Sequence, residues 1–104
     1  MKLTNKKRVS VIVESVFRDK ILQSLEEVGV SGYTIYSEIS GKGQHGVRGD
    51  HGDIGILKNV EIVSIMSADV AEAALEKLNL MLDQGIVMIV HVVEAQVIRR
   101  DHFN

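Results

Sequence analysis

The apolar periodicity of the chain constrains its fold more than any other feature, because it switches twice from period two to helical spacing and back. Arg8–Glu14 (RVSVIVE) alternates apolar and polar side chains and is rich in β-branched residues, the pattern of a half-buried strand. Phe17, Ile21, Leu25 and Val28 then recur at intervals of four, four and three. That spacing lays one apolar stripe along a helix, with Ser15 placed to cap it and Gly29 to stop it. Gly32–Ile39 (GYTIYSEI) reads as a second strand and Asn59–Met66 (NVEIVSIM) as a third. A second helix follows, with Ser67 or Asp69 as its cap. Asp69 and Glu72 stand at capping-box spacing, Ala71, Leu75, Leu78 and Leu82 form the stripe, and Gly85 is the stop. Ile86–Val93 is apolar on both faces and continues, less apolar, through Ala95–Ile98 as the last strand.

The order β-α-β-loop-β-α-β, with short links and right-handed crossovers, predicts an α+β, ferredoxin-like βαββαβ domain. Its antiparallel sheet carries two helices on one face and a long loop between strands two and three. The other face is left bare. Since the first and last strands offer apolar residues on both sides, self-association is the expected cover for it.

At 104 residues the chain has room for one domain, 1–104, with a flexible loop at about 40–58 and a polar tail at 99–104. The absence of Cys excludes a disulfide framework, a thiol nucleophile and thiolate-ligated zinc or iron–sulfur sites. MKLTNKKR at the start carries four basic residues but leads into Val9, Val11 and Val13 rather than an apolar signal segment. The longest mainly apolar run, Gly85–Val93, is too short to span a bilayer. A cytoplasmic protein that is not embedded in a membrane is therefore expected. The formal charge of −2 argues against a nucleic-acid partner.

Between strands two and three the pattern stops for nineteen residues, Ser40–Lys58, longer than the loops of most compact domains. Eight of the nine Gly lie between Gly29 and Gly55, and Gly43, Gly46, Gly49, Gly52 and Gly55 recur at every third position. With no Pro and only five triplets, this is not collagen. Ser40–Gly55 (SGKGQHGVRGDHGDIG) joins permissive backbone and free amide donors to the cations Lys42 and Arg48, a composition suited to phosphate. It is not a Walker A loop. Gly41, Gly43 and Gly46 satisfy G-x-G-x-x-G, but they follow the second strand and lead into no helix, so the dinucleotide context is missing. Two readings stay open beside an anion site: an unconstrained surface loop, and a metal cluster of His45, Asp50, His51 and Asp53. No nucleophile elbow surrounds any Ser. Glu14, Glu61 and Glu94 read as solvent-facing or cross-strand residues rather than an acid–base pair, and His91 as a core or interface residue.

GYTIYSEISGKGQHGVRG, Gly32–Gly49, resembles the second strand and loop base of the PII-like signalling proteins. It is most similar to their bicarbonate-transporter regulators and carboxysome-associated members. The likeness is strongest at Gly32–Thr34 and at the G-K-G-x-x-x-V-R pattern of Gly41–Arg48. The resemblance implies a non-enzymatic regulator that assembles as a homotrimer, with the segment after Ser40 as its T-loop. It further implies an adenine nucleotide as effector in the clefts between subunits: AMP or ADP, with ATP and cyclic AMP as further candidates, and bicarbonate as a second ligand. No prosthetic group is expected. Carried over to this chain, the nucleotide-binding residues are Gly32, Thr34, Gly41, Lys42, Gly43, His45, Gly46, Arg48 and Gly85, with Arg48 at a phosphate-contacting position. The expected target is a membrane transporter for inorganic carbon or a carbon-metabolism protein, which would recruit the regulator to the membrane.

The chain departs from those relatives at His45, where they carry arginine, and at Gly46, where a larger residue occurs. A histidine carries less positive charge than arginine near neutral pH, so selectivity among phosphates is expected to differ. Asp83-Gln84-Gly85 is a much reduced form of the TGKIGDGK-type segment of the nitrogen-regulatory members that sense ATP and 2-oxoglutarate. The cysteine pair that ends some relatives is also missing. A metal-responsive protein of the divalent-cation-tolerance type and a structural oligomer with a docking loop are the alternatives.

Overall fold

In a computed structural model, residues 1–39, 41–43, 46–48 and 58–98 are described. The elements are β1 (Thr4–Glu14), a 3₁₀ turn (Ser15–Phe17), α1 (Arg18–Glu27), β2 (Thr34–Ile39), β3 (Gly41–Gly43), β4 (Gly46–Arg48), β5 (Asn59–Met66), α2 (Ala68–Asp83) and β6 (Met88–Val97). Four strands form one antiparallel sheet in the order β2-β5-β1-β6, and β3 pairs with β4 in a separate ribbon. This is the ferredoxin-like arrangement that the periodicity predicts.

Strand alternation decides which face is covered. Val9, Val11 and Val13 of β1 and Val60, Ile62 and Met66 of β5 are buried in one cluster with Ile21 and Leu25 of α1 and Ala71, Ala74, Leu78 and Met81 of α2. Phe17 and Val28 pack against its rim, so the first helical stripe is as expected. The second is rotated. At about 100° per residue, Ala71, Ala74, Leu78 and Met81 lie on one side of the helix, which puts Leu75 and Leu82 at the edge of that side. Leu75 is half-buried and Leu82 is 39% exposed.

Both helices stop at the expected glycines. Gly29 has φ +98° and Gly85 φ +101°, and the Val30 and Ile86 amides donate back to the Leu25 and Met81 carbonyls, closing Schellman-type ends. Ser67 caps α2, accepting from the Val70 amide at 3.3 Å. Ser15 does not cap α1. Its amide donates to the Lys58 carbonyl at 2.7 Å, and it opens the 3₁₀ turn, so the α-helix starts only at Arg18.

Two further differences from the sequence reading come from pairing. β1 begins at Thr4 rather than Arg8 because Thr4–Lys6 pair with Ala95–Val97 of β6. The Lys7–Glu94 ion pair at 3.0 Å and a hydrogen bond donated by Gln96 Nε2 to Asn5 Oδ1 at 3.3 Å hold this polar extension. The interval expected to be loop contains the β3–β4 ribbon, whose six residues include three Gly and a single aliphatic side chain, Val47. Such a segment has no apolar period to read. The rest of that interval and the tail from residue 99 lie outside the described residues. Among the described residues, no helix is long and apolar enough to cross a membrane.

Candidate functional site

β1 runs toward Glu14, β5 starts opposite it at Asn59, and β6 starts with Met88 beside Val13. The end of β2, the start of β5, the 3₁₀ turn and the Gly85 turn therefore share one end of the sheet. At this end the long interval leaves from Ile39, which pairs with Asn59. The register slips between Tyr36 and Ile39, and within the slip Glu38 adopts φ +56°, a left-handed conformation uncommon outside glycine. The Lys58 ammonium lies 3.4 Å from the Glu38 carboxylate and bridges the two sides of this neck.

The ribbon grows from the neck. Gly41 pairs with Arg48, Lys42 with Val47 and Gly43 with Gly46, so Lys42 and Arg48 occupy neighbouring rungs. Gly32 and Thr34 stand elsewhere on the same edge. Thr34 is exposed and pairs with Val63 in the middle of β5, about 15 Å down the strand from Ile39. The Gly32 carbonyl accepts a hydrogen bond from the buried Ser64 hydroxyl. Gly85 belongs to the opposite edge, beside β6, three strand spacings or about 14 Å from β2. His45 lies outside the described residues, as do Asp50, His51 and Asp53 of the metal alternative. Among the described residues, no group of three or more His, Asp or Glu is placed to hold a metal ion.

The sheet face away from the helices is open. Alternation puts Thr34, Val63, Ser10 and His91 on one rung of it and Tyr36, Glu61, Ile12 and Ile89 on the next. Tyr36 is 52%, Ile89 47% and Val93 48% exposed, so large apolar side chains face outward at both edges of this face, Tyr36 on β2 and Ile89 and Val93 on β6. His91 is exposed on this face and so is not a core residue. Ser10 is fully buried and donates to the Glu61 carboxylate at 2.7 Å. Glu61 and Glu94 thus have the cross-strand partners expected of them, Ser10 and Lys7.

Two features were missed by sequence reasoning. A groove of about 270 Å³ between α1 and α2 is lined by Lys20, Ser24, Lys77, Leu80, Met81 and Gln84, none of them an expected site residue. Asn59 is buried at the neck with no hydrogen-bond partner for its side chain among the described residues. An amide residue opening a mainly apolar strand is the sequence signal that could have marked it.

The sequence pattern described as "Nitrogen regulatory protein P-II" matches residues 6–102. No curated protein matches the chain. Among solved structures, CPII from Thiomonas intermedia K12, a nitrogen regulatory PII-like protein bound to ADP, AMP and bicarbonate, superposes with a TM-score of 0.88 at 27% identity, covering 98% of this chain and 96% of that one. The same protein bound to ADP, AMP and acetate gives 0.82 at 25% identity, covering 99% and 98%. A PII-like signalling protein from Thermus thermophilus gives 0.82 at 25% identity, with both chains covered completely. Fold, loop-base sequence and a match over nearly the whole length agree, and the chain belongs to the nitrogen regulatory protein P-II family.

Proposed function

We propose that this protein is a non-enzymatic signal-transduction regulator. It binds an adenine nucleotide, AMP or ADP, in clefts between the subunits of a homotrimer and controls a partner protein through the segment 40–58. The observation that carries this reading is the division of the expected site between two sheet edges. The Gly41–Arg48 ribbon leaves beside β2 and the Gly85 turn lies beside β6, at the same end of the sheet but about 14 Å apart. A nucleotide held by both is served by the β2 edge of one copy and the β6 edge of the next. The exposed apolar side chains of Tyr36, Ile89 and Val93, at the two edges of the open face, give the copies a reason to meet. The ligands of CPII, ADP and AMP with bicarbonate, support the ligand class.

In this reading the glycine amides of the ribbon and the charges of Lys42 and Arg48 serve the phosphates, with Arg48 supplying a bidentate fork. Gly32 and Thr34 serve the nucleoside end, farther down β2. Several charge-assisted hydrogen bonds from one phosphate to the ribbon would couple nucleotide occupancy to what the segment presents. The partner then reads the segment. A transporter or enzyme of inorganic carbon metabolism is the target class to which the resemblance points.

Calorimetry of the full chain with AMP, ADP and ATP tests the reading, with light scattering for the assembly. Saturable heat with at least one nucleotide, lost in Arg48→Ala, and a trimer mass are expected. No heat with any adenine nucleotide, or a monomer mass, would overturn it. Zinc uptake lost in the His45→Ala, His51→Ala double variant, without nucleotide binding, would replace it with the metal reading.

A further inference from the structure

Among the described residues three polar ones are buried: Ser10, Ser64 and Asn59. Both serines donate a hydrogen bond, Ser10 to Glu61 and Ser64 to the Gly32 carbonyl. Asn59 is the exception. It is 1% exposed, and neither its Oδ1 nor its Nδ2 has a partner among the described residues. Leaving such a group unpaired is costly, whereas an apolar side chain of similar shape at the same place carries no such cost. The expense falls at the neck, where Asn59 pairs with Glu14 and Ile39 and follows Lys58 in the chain.

A carboxamide presents an acceptor oxygen and donor N–H groups side by side, so its complement must accept and donate through neighbouring atoms. Bicarbonate does this: its charged oxygens accept from Nδ2 while its hydroxyl donates to Oδ1. Acetate and nitrate carry the same charge on a similar planar frame but only accept. We propose that Asn59 is a specificity residue of the effector site, whose carboxamide takes up bicarbonate and selects it over oxyanions that lack a hydroxyl. The assignment rests on the effector reading above and names the second ligand of that site. Because both atoms lie below the surface of the free chain, uptake includes a local displacement of side chains at the neck. Satisfying the unpaired amide contributes to the drive for it.

The test is calorimetry of the full-length wild-type protein and of Asn59→Leu, with sodium bicarbonate, acetate and nitrate each titrated with and without saturating ADP. Thermal melting is followed at one fixed protein concentration. The wild type should prefer bicarbonate over acetate and nitrate by roughly three- to tenfold, the worth of the one hydrogen bond from the hydroxyl to the neutral Oδ1 that the other two anions cannot make. Asn59→Leu should lose that preference and melt higher than the wild type. Asn59→Gln keeps the carboxamide but displaces it by one methylene, and should also lose the preference, which covers the case in which the leucine variant does not fold. Unchanged bicarbonate affinity in the variants, as for an amide satisfied by an internal water, overturns the proposal. So does a wild type that does not discriminate among the three anions. ADP heat without bicarbonate binding removes the Asn59 assignment and keeps the nucleotide reading. Selective bicarbonate binding without ADP heat does the reverse.

Discussion

Three glycines allow the cost of backbone conformation to be measured apart from packing. A Cβ built on Gly29, Gly32 or Gly85 meets no atom within 4 Å, so alanine at each is free of clashes. They differ in φ, which is +98° at Gly29 and +101° at Gly85 and lies outside the left-handed region at Gly32. Placing an L-residue in left-handed geometry costs roughly 1–2 kcal/mol. Restricting the unfolded chain by Gly→Ala returns about 0.4–1 kcal/mol. The net expectation is a loss of about 1 kcal/mol for Gly29→Ala and for Gly85→Ala, and a gain of a few tenths for Gly32→Ala. Urea unfolding at fixed protein concentration reads this as a midpoint lowered by about 0.5–1 M in the first two variants, with the slope unchanged. Asn tolerates the left-handed region better than Ala, so Gly85→Asn should recover part of the loss. Equal midpoints for Gly85→Ala and Gly32→Ala would refute the reasoning, because the two sites differ in φ and not in space.

The remaining predictions concern the cap, the core and the open face. Ser67→Ala removes the acceptor of the Val70 amide and should cost about 1 kcal/mol in chemical unfolding, against a few tenths for Asp69→Ala, which loses only a charge near the helix N-terminus. Similar losses would mean that the cap is not Ser67. Leu78→Ala, at a site 1% exposed between α2 and the sheet, should cost about 2–5 kcal/mol, with Leu82→Ala near neutral, checked by the same unfolding series. Ile89→Lys adds a charge at a position 47% exposed on the open face, so circular dichroism should show an intact fold while light scattering shows a smaller assembly. An unchanged mass would mean that this face is not where copies meet.

The main sheet and both helices were legible because each buries one face, and burial on one face imprints a period. β5 was read to the residue, and both glycine stops were placed correctly. What escaped reading lacks such an imprint. Thr4–Lys6 are polar and become strand only by pairing with β6, and the ribbon is too rich in glycine to alternate. Ser15 has the chemistry of a cap, but its amide is taken by Lys58, a residue 43 positions away, and sequence spacing carries no trace of that contact. Of the candidate site only the residue types were legible: Lys42 and Arg48 set among glycines have a composition suited to an anion. Their arrangement was not, because Gly85 joins the loop neck only through strand order, and the unpaired state of Asn59 depends on everything that surrounds it.

Strand order also bears on the symmetry of the proposed assembly. A cleft formed from the β2 edge of one copy and the β6 edge of the next uses two different surfaces, which makes the contact heterologous. Repetition of such a contact ends only in a ring or an open filament, and three is the smallest number of copies that closes a ring. The open face favours closure. Its exposed Tyr36, Ile89 and Val93 would be sheltered together inside a ring but left partly in water along an extended filament. Each chain then contributes one β2 edge and one β6 edge, so the ring holds as many equivalent clefts as it has chains. Saturation at one nucleotide per chain follows from this geometry, and a ratio of one nucleotide per ring would contradict it.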